Sequence, residues 1–456
     1  MKSKVLTSGF FPALFFSLFC TLFLQGQTVT DPTLSATKAD WYQRMQDPNA
    51  NFFQTQAAFE AYWRDKPEKK GDGYKVFRRW EYIQQGRTDE RGNLPAPGHI
   101  MKEYNKFIQT YPESITAGWQ QIGPVSLPGN ATNPLQPNGM GRINQFGFHP
   151  TDPNTVYAAA PSGGLWRTDN LGQTWEVLTD YLPTLGTSCV IVDYINPSIL
   201  YIGTGDRDAN DAPGLGVYKS TDGGSYFYAS NNGMGNVTVN MMLIHPSDHH
   251  TLLAATSEGI FRTTDAGQNW TLVTTINNHS YKDIRYKPGS EDTLYATSVS
   301  HHWTITPNAR FHRSVDGGNT WTSDETVIPG NTTRLVIGIT PANPELVFLG
   351  RATPTWGGLL KSTDAGATFT QLTATPNILG YECLGNDTKQ QSGYDFAIAV
   401  SPSNENIVHI GGICIWRSTN GGSSWTINAH WFGGCITGTR SEEHTSELHH
   451  GKLSRM

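Results

Sequence analysis

One short pattern recurs six times in this chain of 456 residues, and it constrains the fold more than any other feature. A hydroxyl residue is followed two positions on by Asp or Asn, and two further by Gly. A polar, mostly small residue then precedes an aromatic one. The copies are Thr168, Asn170, Gly172, Thr174, Trp175; Ser220, Asp222, Gly224, Tyr226, Phe227; and Thr263, Asp265, Gly267, Asn269, Trp270. The pattern continues as Ser314, Asp316, Gly318, Thr320, Trp321; Ser362, Asp364, Gly366, Thr368, Phe369; and Ser418, Asn420, Gly422, Ser424, Trp425. The aromatics are spaced 43 to 56 residues apart, the period of a four-stranded propeller blade.

The chemistry of the pattern is that of a turn. Asp and Asn side chains bond nearby backbone N–H groups, Gly permits positive φ, and the aromatic starts a strand that packs between blades. Asp222, Asp265, Asp316 and Asp364 share their position with Asn170 and Asn420. Asn is a poor catalytic acid, so these six are read as structural. Alternating segments complete each unit, as in Ile143–Phe148, Thr155–Ala159, Gly164–Thr168 and Trp175–Leu178. The expected fold is all-β: a β-propeller of four-stranded blades, six of them visible, with all six turns on one face. Charged residues are only 16% of the chain and Gly reaches 47, which suits short strands and tight turns.

The repeated turn resembles the Asp box of bacterial neuraminidase repeats, shared by sialidases, sortilin-type receptors and secreted glycosidases. That resemblance implies a propeller that presents ligands to the face opposite the boxes.

Other segments fill out the organisation. Lys2 and Lys4 precede an apolar stretch from Val5 to Leu24, so residues 1–26 read as a signal peptide and the protein as secreted or at the outer cell surface. Residues 27–112 form a leader, either helical or partly disordered. Phe59, Tyr62 and Trp63 lie at helical spacing, as do Met101, Tyr104 and Ile108. This leader resembles those before propellers of Bacteroidetes-type surface proteins, which often end in a C-terminal sorting domain. Residues 113–439 are the propeller. Residues 440–456 break the composition and resemble a translated sequencing adapter, so they are read as a non-native tail, with further blades expected beyond Thr439. One disulfide is expected among Cys383, Cys414 and Cys435.

The net charge is −6 and no basic cluster stands out, which excludes a nucleic-acid partner. No membrane span remains after signal cleavage, and a monomer is expected. Function is sought on the loops between second and third strands and between blades. Loop 203–216 carries Asp206, Asp208 and Asn210, which match three calcium-loop positions, but the expected Gly and Glu are missing. No other cofactor is implied. Loop 297–310 carries His301, His302 and Trp303, suited to sugar or peptide contact, and loop 372–395 carries Glu382 and Asp395. Arg142, Arg351 and Trp356 are further ligand-binding candidates, and Arg142, Arg334 and Arg351 could converge on a carboxylate as in sialidases. The Phe/Tyr-Arg-Ile-Pro signature is absent, with Gly141-Arg142-Ile143-Asn144 the nearest run. Two classes therefore stand: a binding propeller for polysaccharide or protein, or a glycoside hydrolase of xyloglucanase or sialidase type. The second would use Asp206, Asp208, Glu382 or Asp395 as its carboxylates.

Overall fold

The computed structural model describes residues 38–47, 49–67, 73–96, 98–111, 142–208, 212–274, 279–300, 309–323 and 328–430. The signal segment, the tail, Asn210, Cys435 and the His301–His302–Trp303 run lie outside these residues. The chain divides into two compact units, Met1–Ala96 and Pro97–Met456.

The first unit holds helices α1 (Lys38–Gln46), α2 (Phe52–Trp63) and α3 (Tyr74–Gln85). Asn51 caps α2 by accepting from the Gln54 N–H at 3.2 Å. An aromatic core joins the three helices. Phe59 and Phe77 stack at 3.7 Å, and Trp41 meets them edge-on at 5.0 and 5.7 Å. Helix α4 (His99–Thr110) falls in the second unit and buries none of its side chains.

The second unit contains six four-stranded antiparallel sheets, each in sequential up-and-down order. They span residues 145–177, 187–229, 239–272, 279–323, 334–371 and 397–429, here blades 1 to 6. This is the expected β-propeller. Inner strands pack in sequence from blade 1 to blade 6, and among the described residues no comparable packing joins blade 6 back to blade 1. Apolar side chains from adjacent blades interdigitate. Phe348, Leu359 and Val336 of blade 5 pack with Ile410, Trp416 and Trp425 of blade 6. Among the described residues no helix is long and apolar enough to cross a membrane.

Every repeated turn joins the third strand of its blade to the fourth, so all six stand on one face. In blade 5 the Ser362 hydroxyl donates to Asp364 Oδ1 at 2.7 Å and accepts from the Gly366 N–H at 2.8 Å. Asp364 Oδ1 also accepts the Thr368 N–H at 2.9 Å, and its Oδ2 accepts the Thr368 hydroxyl at 2.6 Å. In blade 1 the partner hydroxyl reverses its role: Asn170 Nδ2 donates to Thr174 Oγ1 at 2.8 Å. Asn420 does the same to Ser424 Oγ at 2.8 Å. Asp and Asn thus close the same turn. The two positions after each Asp or Asn are left-handed; Leu171, Ala266 and Ala365 hold φ of 55°, 57° and 56° without being Gly.

The aromatics that end the pattern are not equally buried. Phe227 and Trp270 are 1% and 3% exposed, whereas Trp321 is only half-buried. Trp270 Nε1 donates across to the Ser230 carbonyl of blade 2 at 2.7 Å. A second inter-blade link comes from the basic residue just before the hydroxyl. Lys219 Nζ donates to the Ala266 carbonyl at 3.0 Å, and Arg262 Nε to the Gly317 carbonyl at 3.3 Å. Each carbonyl belongs to the next blade's turn. Cys383 is disulfide-bonded. Cys414 is a buried thiol whose Sγ lies 3.9 Å from the Tyr381 carbonyl.

Candidate functional site

On the face opposite the repeated turns, residues from five blades converge. The loop between the second and third strands of blade 2 begins at Gly205, whose φ of 105° turns it inward. This loop brings in Asp206, Arg207 and Asp208. The Asp206 carboxylate pairs with Arg142, which precedes the inner strand of blade 1. Asp208 Oδ2 pairs with Arg207 Nε at 3.2 Å, and its Oδ1 with Arg334 NH2 at 3.1 Å. Arg334 starts the inner strand of blade 5 (Arg334–Ile339) and also donates through NH1 to the Ser392 carbonyl at 3.0 Å. Lys282, on the inner strand of blade 4 (His279–Tyr286), donates to the Arg207 carbonyl. The Arg142 guanidinium lies 4.5 Å over the ring of Tyr394, on the segment entering blade 6. These contacts form a charged hub, and the blade 2 loop is its centre.

Burial sets the electrostatics. The side chains of Asp206 and Asp208 are fully buried, so each depends on its guanidinium partners. Burial lowers the Lys282 ammonium to about 8. Burial raises the Asp395 carboxyl to about 7; Arg334 pulls it back and Asp208 pushes it further up. Asp395 Oδ1 is buried and has no hydrogen-bond partner among the described residues. The site therefore offers a carboxyl group poised to hold a proton near neutrality, beside two enclosed carboxylates paired with arginines.

The structure thus brings together Arg142, Asp206, Asp208, Arg334 and Asp395. Other candidates stand elsewhere. Glu382 is exposed and none of its described contacts reaches the hub; its backbone N–H donates to Asp387 Oδ2 at 2.9 Å. Arg351 lies opposite Leu335 in register, hence on the other face of the sheet from Arg334. It donates to Gln371 Oε1 at 3.0 Å and Asn331 Oδ1 at 3.3 Å, so it does not complete an arginine triad. Trp356, expected on a loop, instead opens the third strand of blade 5 (Trp356–Ser362) and is 3% exposed. The loop before it is shorter than expected, and the ring turns inward against Phe396. Calcium fits poorly at Asp206 and Asp208, because guanidinium groups already neutralise both carboxylates. Lys282 is missed in the sequence, and Arg207 is visible on the 203–216 loop but carries no role there. Their signal was only that a charge stood on an inner strand or beside an acidic loop.

No family model matches the chain. It is 24% identical over 348 residues to the xyloglucanase Xgh74A of Acetivibrio thermocellus, covering 67% of this chain and 40% of that enzyme. It is 23% identical over 331 residues to a xyloglucanase of a Paenibacillus species, covering 63% and 31%. A Hypocrea jecorina xyloglucanase is 29% identical over 210 residues, covering 45% and 23%. The chain spans less than half the length of these curated relatives. Among solved structures, the GH74 enzyme of Niastella koreensis superposes with a TM-score of 0.50 at 20% identity, over 63% of this chain and 47% of that one. That likeness concerns the fold.

Proposed function

We propose that the chain is an exported, monomeric, polysaccharide-directed propeller of xyloglucanase kind, acting as a glycoside hydrolase. The observation that carries this reading is the alignment with a xyloglucanase, 24% identical over 348 residues. The hub supplies chemistry consistent with it. Asp395, raised to about 7, is partly protonated at neutral pH and is the candidate general acid for the glycosidic oxygen. Arg334 and Asp208 act on its proton affinity through space, the first lowering it and the second raising it.

A second reading, polysaccharide binding without turnover, is favoured by one observation. Hydrolysis needs a second carboxylate open to water or to the sugar, and Asp206 and Asp208 are both enclosed. Purified protein incubated with xyloglucan should release new reducing ends, and Asp395→Asn should abolish the release. Wild-type protein that retains xyloglucan without cleaving it would establish the second reading. Protein that neither binds nor cleaves it would overturn both.

A further inference from the structure

A groove of about 470 Å³ lies at the outer edge of the propeller, between blades 2 and 3. The outer edge of blade 2 forms one wall, through Lys219, Tyr228, Asn231 and Asn232. The repeated turn of blade 3 forms the other, through Ala266 and Gln268. We propose that this groove is a second glycan-binding site, one that takes a neutral polysaccharide chain. The proposal rests on the reading that the protein engages a polysaccharide, and it is independent of whether the hub hydrolyses one.

The groove is preformed. Hydrogen bonds join its walls across the blade boundary. Lys219 Nζ donates to the Ala266 carbonyl at 3.0 Å, Ser230 Oγ to the Gly267 carbonyl at 2.7 Å, and Asn232 Nδ2 to Asn269 Oδ1 at 2.6 Å. The Trp270 N–H donates to the Asn232 carbonyl at 2.8 Å. A ligand that enters has little ordering cost to meet. The volume is that of a small-ligand site.

The lining chemistry selects the ligand. Tyr228 is 42% exposed, on an outer strand whose neighbouring Phe227 is buried, so its ring is a solvent-facing apolar surface with a phenol at its tip. Such a surface matches the C–H face of a pyranose. Asn231 Nδ2 donates to the Leu215 carbonyl at 2.6 Å, so both Asn231 and Asn232 use an amide donor on the protein. Their carbonyl oxygens remain to accept from hydroxyl groups. Among the described residues no carboxylate lines the groove. Its one cation, Lys219, is committed to the Ala266 carbonyl and lies 5.1 Å over the Tyr201 ring. The polar groups presented are therefore amides and a phenol, suited to an uncharged polyol. In the repeated turn just before this strand, exposed Tyr226 stacks on exposed Tyr181 at 5.4 Å, which offers a further aromatic surface to a long chain.

The test is affinity gel electrophoresis of the full chain in xyloglucan, with thermal melts as a folding control. Tyr228→Ala should weaken retention about five- to tenfold at an unchanged Tm. Tyr228→Phe, which keeps the ring, should retain most of the affinity, and Asn232→Ala should lose part of it. Retention of Tyr228→Ala and Asn232→Ala equal to wild type would overturn the proposal, as would a wild type that xyloglucan does not retard. Asp395→Asn separates the two sites: it should lose any turnover and keep its retention. A wild type without turnover, but with Tyr228-dependent retention, would support this groove while overturning the hydrolytic reading.

Discussion

Replacing Asp395 with Asn should change how stability depends on pH, and the sign follows from the hub. In the unfolded chain this carboxyl titrates near 3.8; in the folded chain burial among Arg334 and Asp208 moves it to about 7. Between those values the folded protein holds a proton that the unfolded chain has released. Stability is then full below about pH 4 and falls as pH rises toward 7. Roughly three pH units at about 1.4 kcal/mol each set an upper bound of about 4 kcal/mol on the loss. Asn is neutral at every pH and keeps the shape, so the variant escapes that loss. Urea unfolding at pH 4, 5, 6, 7 and 8 measures it. The two proteins should differ least at pH 4, and the variant should gain up to about 4 kcal/mol on wild type by pH 8. Aspartates of the repeated turns, such as Asp364 held at about 2 chiefly by the Ser362 hydroxyl, affect both proteins alike and cancel. A stability difference that stays constant with pH would refute the reasoning.

Two further perturbations test the packing and the hub. Trp270→Ala should cost about 3–5 kcal/mol in urea melts, because the ring is buried and bonded to Ser230, whereas half-buried Trp321→Ala should cost clearly less; equal losses would count against the inter-blade role. Arg334→Met should cost up to about 3–5 kcal/mol by leaving the buried charge of Asp208 under-compensated beside Arg207, and adding Asp208→Asn should recover much of that loss, so an additive double variant would argue against the ion pair.

The blades were legible because each writes its own turn locally. Six hydroxyl–Asp/Asn–Gly runs specify six turns, and the strands on either side alternate in plain view. The basic residues before the hydroxyls, Lys219 and Arg262 among them, were equally visible, but their role depends on a carbonyl in the next blade. The hub was legible only in part. Arg142, Asp206, Asp208, Arg334 and Asp395 could be named as loop-face charges, since topology assigns the face. Their pairing could not be read, because they come from four separate segments of the chain and no local rule aligns them. Trp356 was misread for a related reason: the length of the strand that carries it is decided by packing against Phe396, not by its neighbours in sequence.

The hub also bears on how the chain can be made. Its partners are added to the growing polypeptide in a fixed order: Arg142 first, then Asp206 to Asp208, then Lys282, Arg334 and finally Tyr394 and Asp395. Each blade can close its own hairpins as it leaves the ribosome, since those contacts are local. Asp206 finds Arg142 already made, but the buried carboxylate of Asp208 must wait for an arginine translated much later. Until Arg334 emerges, Asp208 has only Arg207 for company, and a loop with an ill-compensated charge has reason to stay in water. Early blades should therefore form promptly while the axis of the propeller sets last. A nascent chain stalled before residue 334 would display residues 205–208 to proteases that the finished protein excludes.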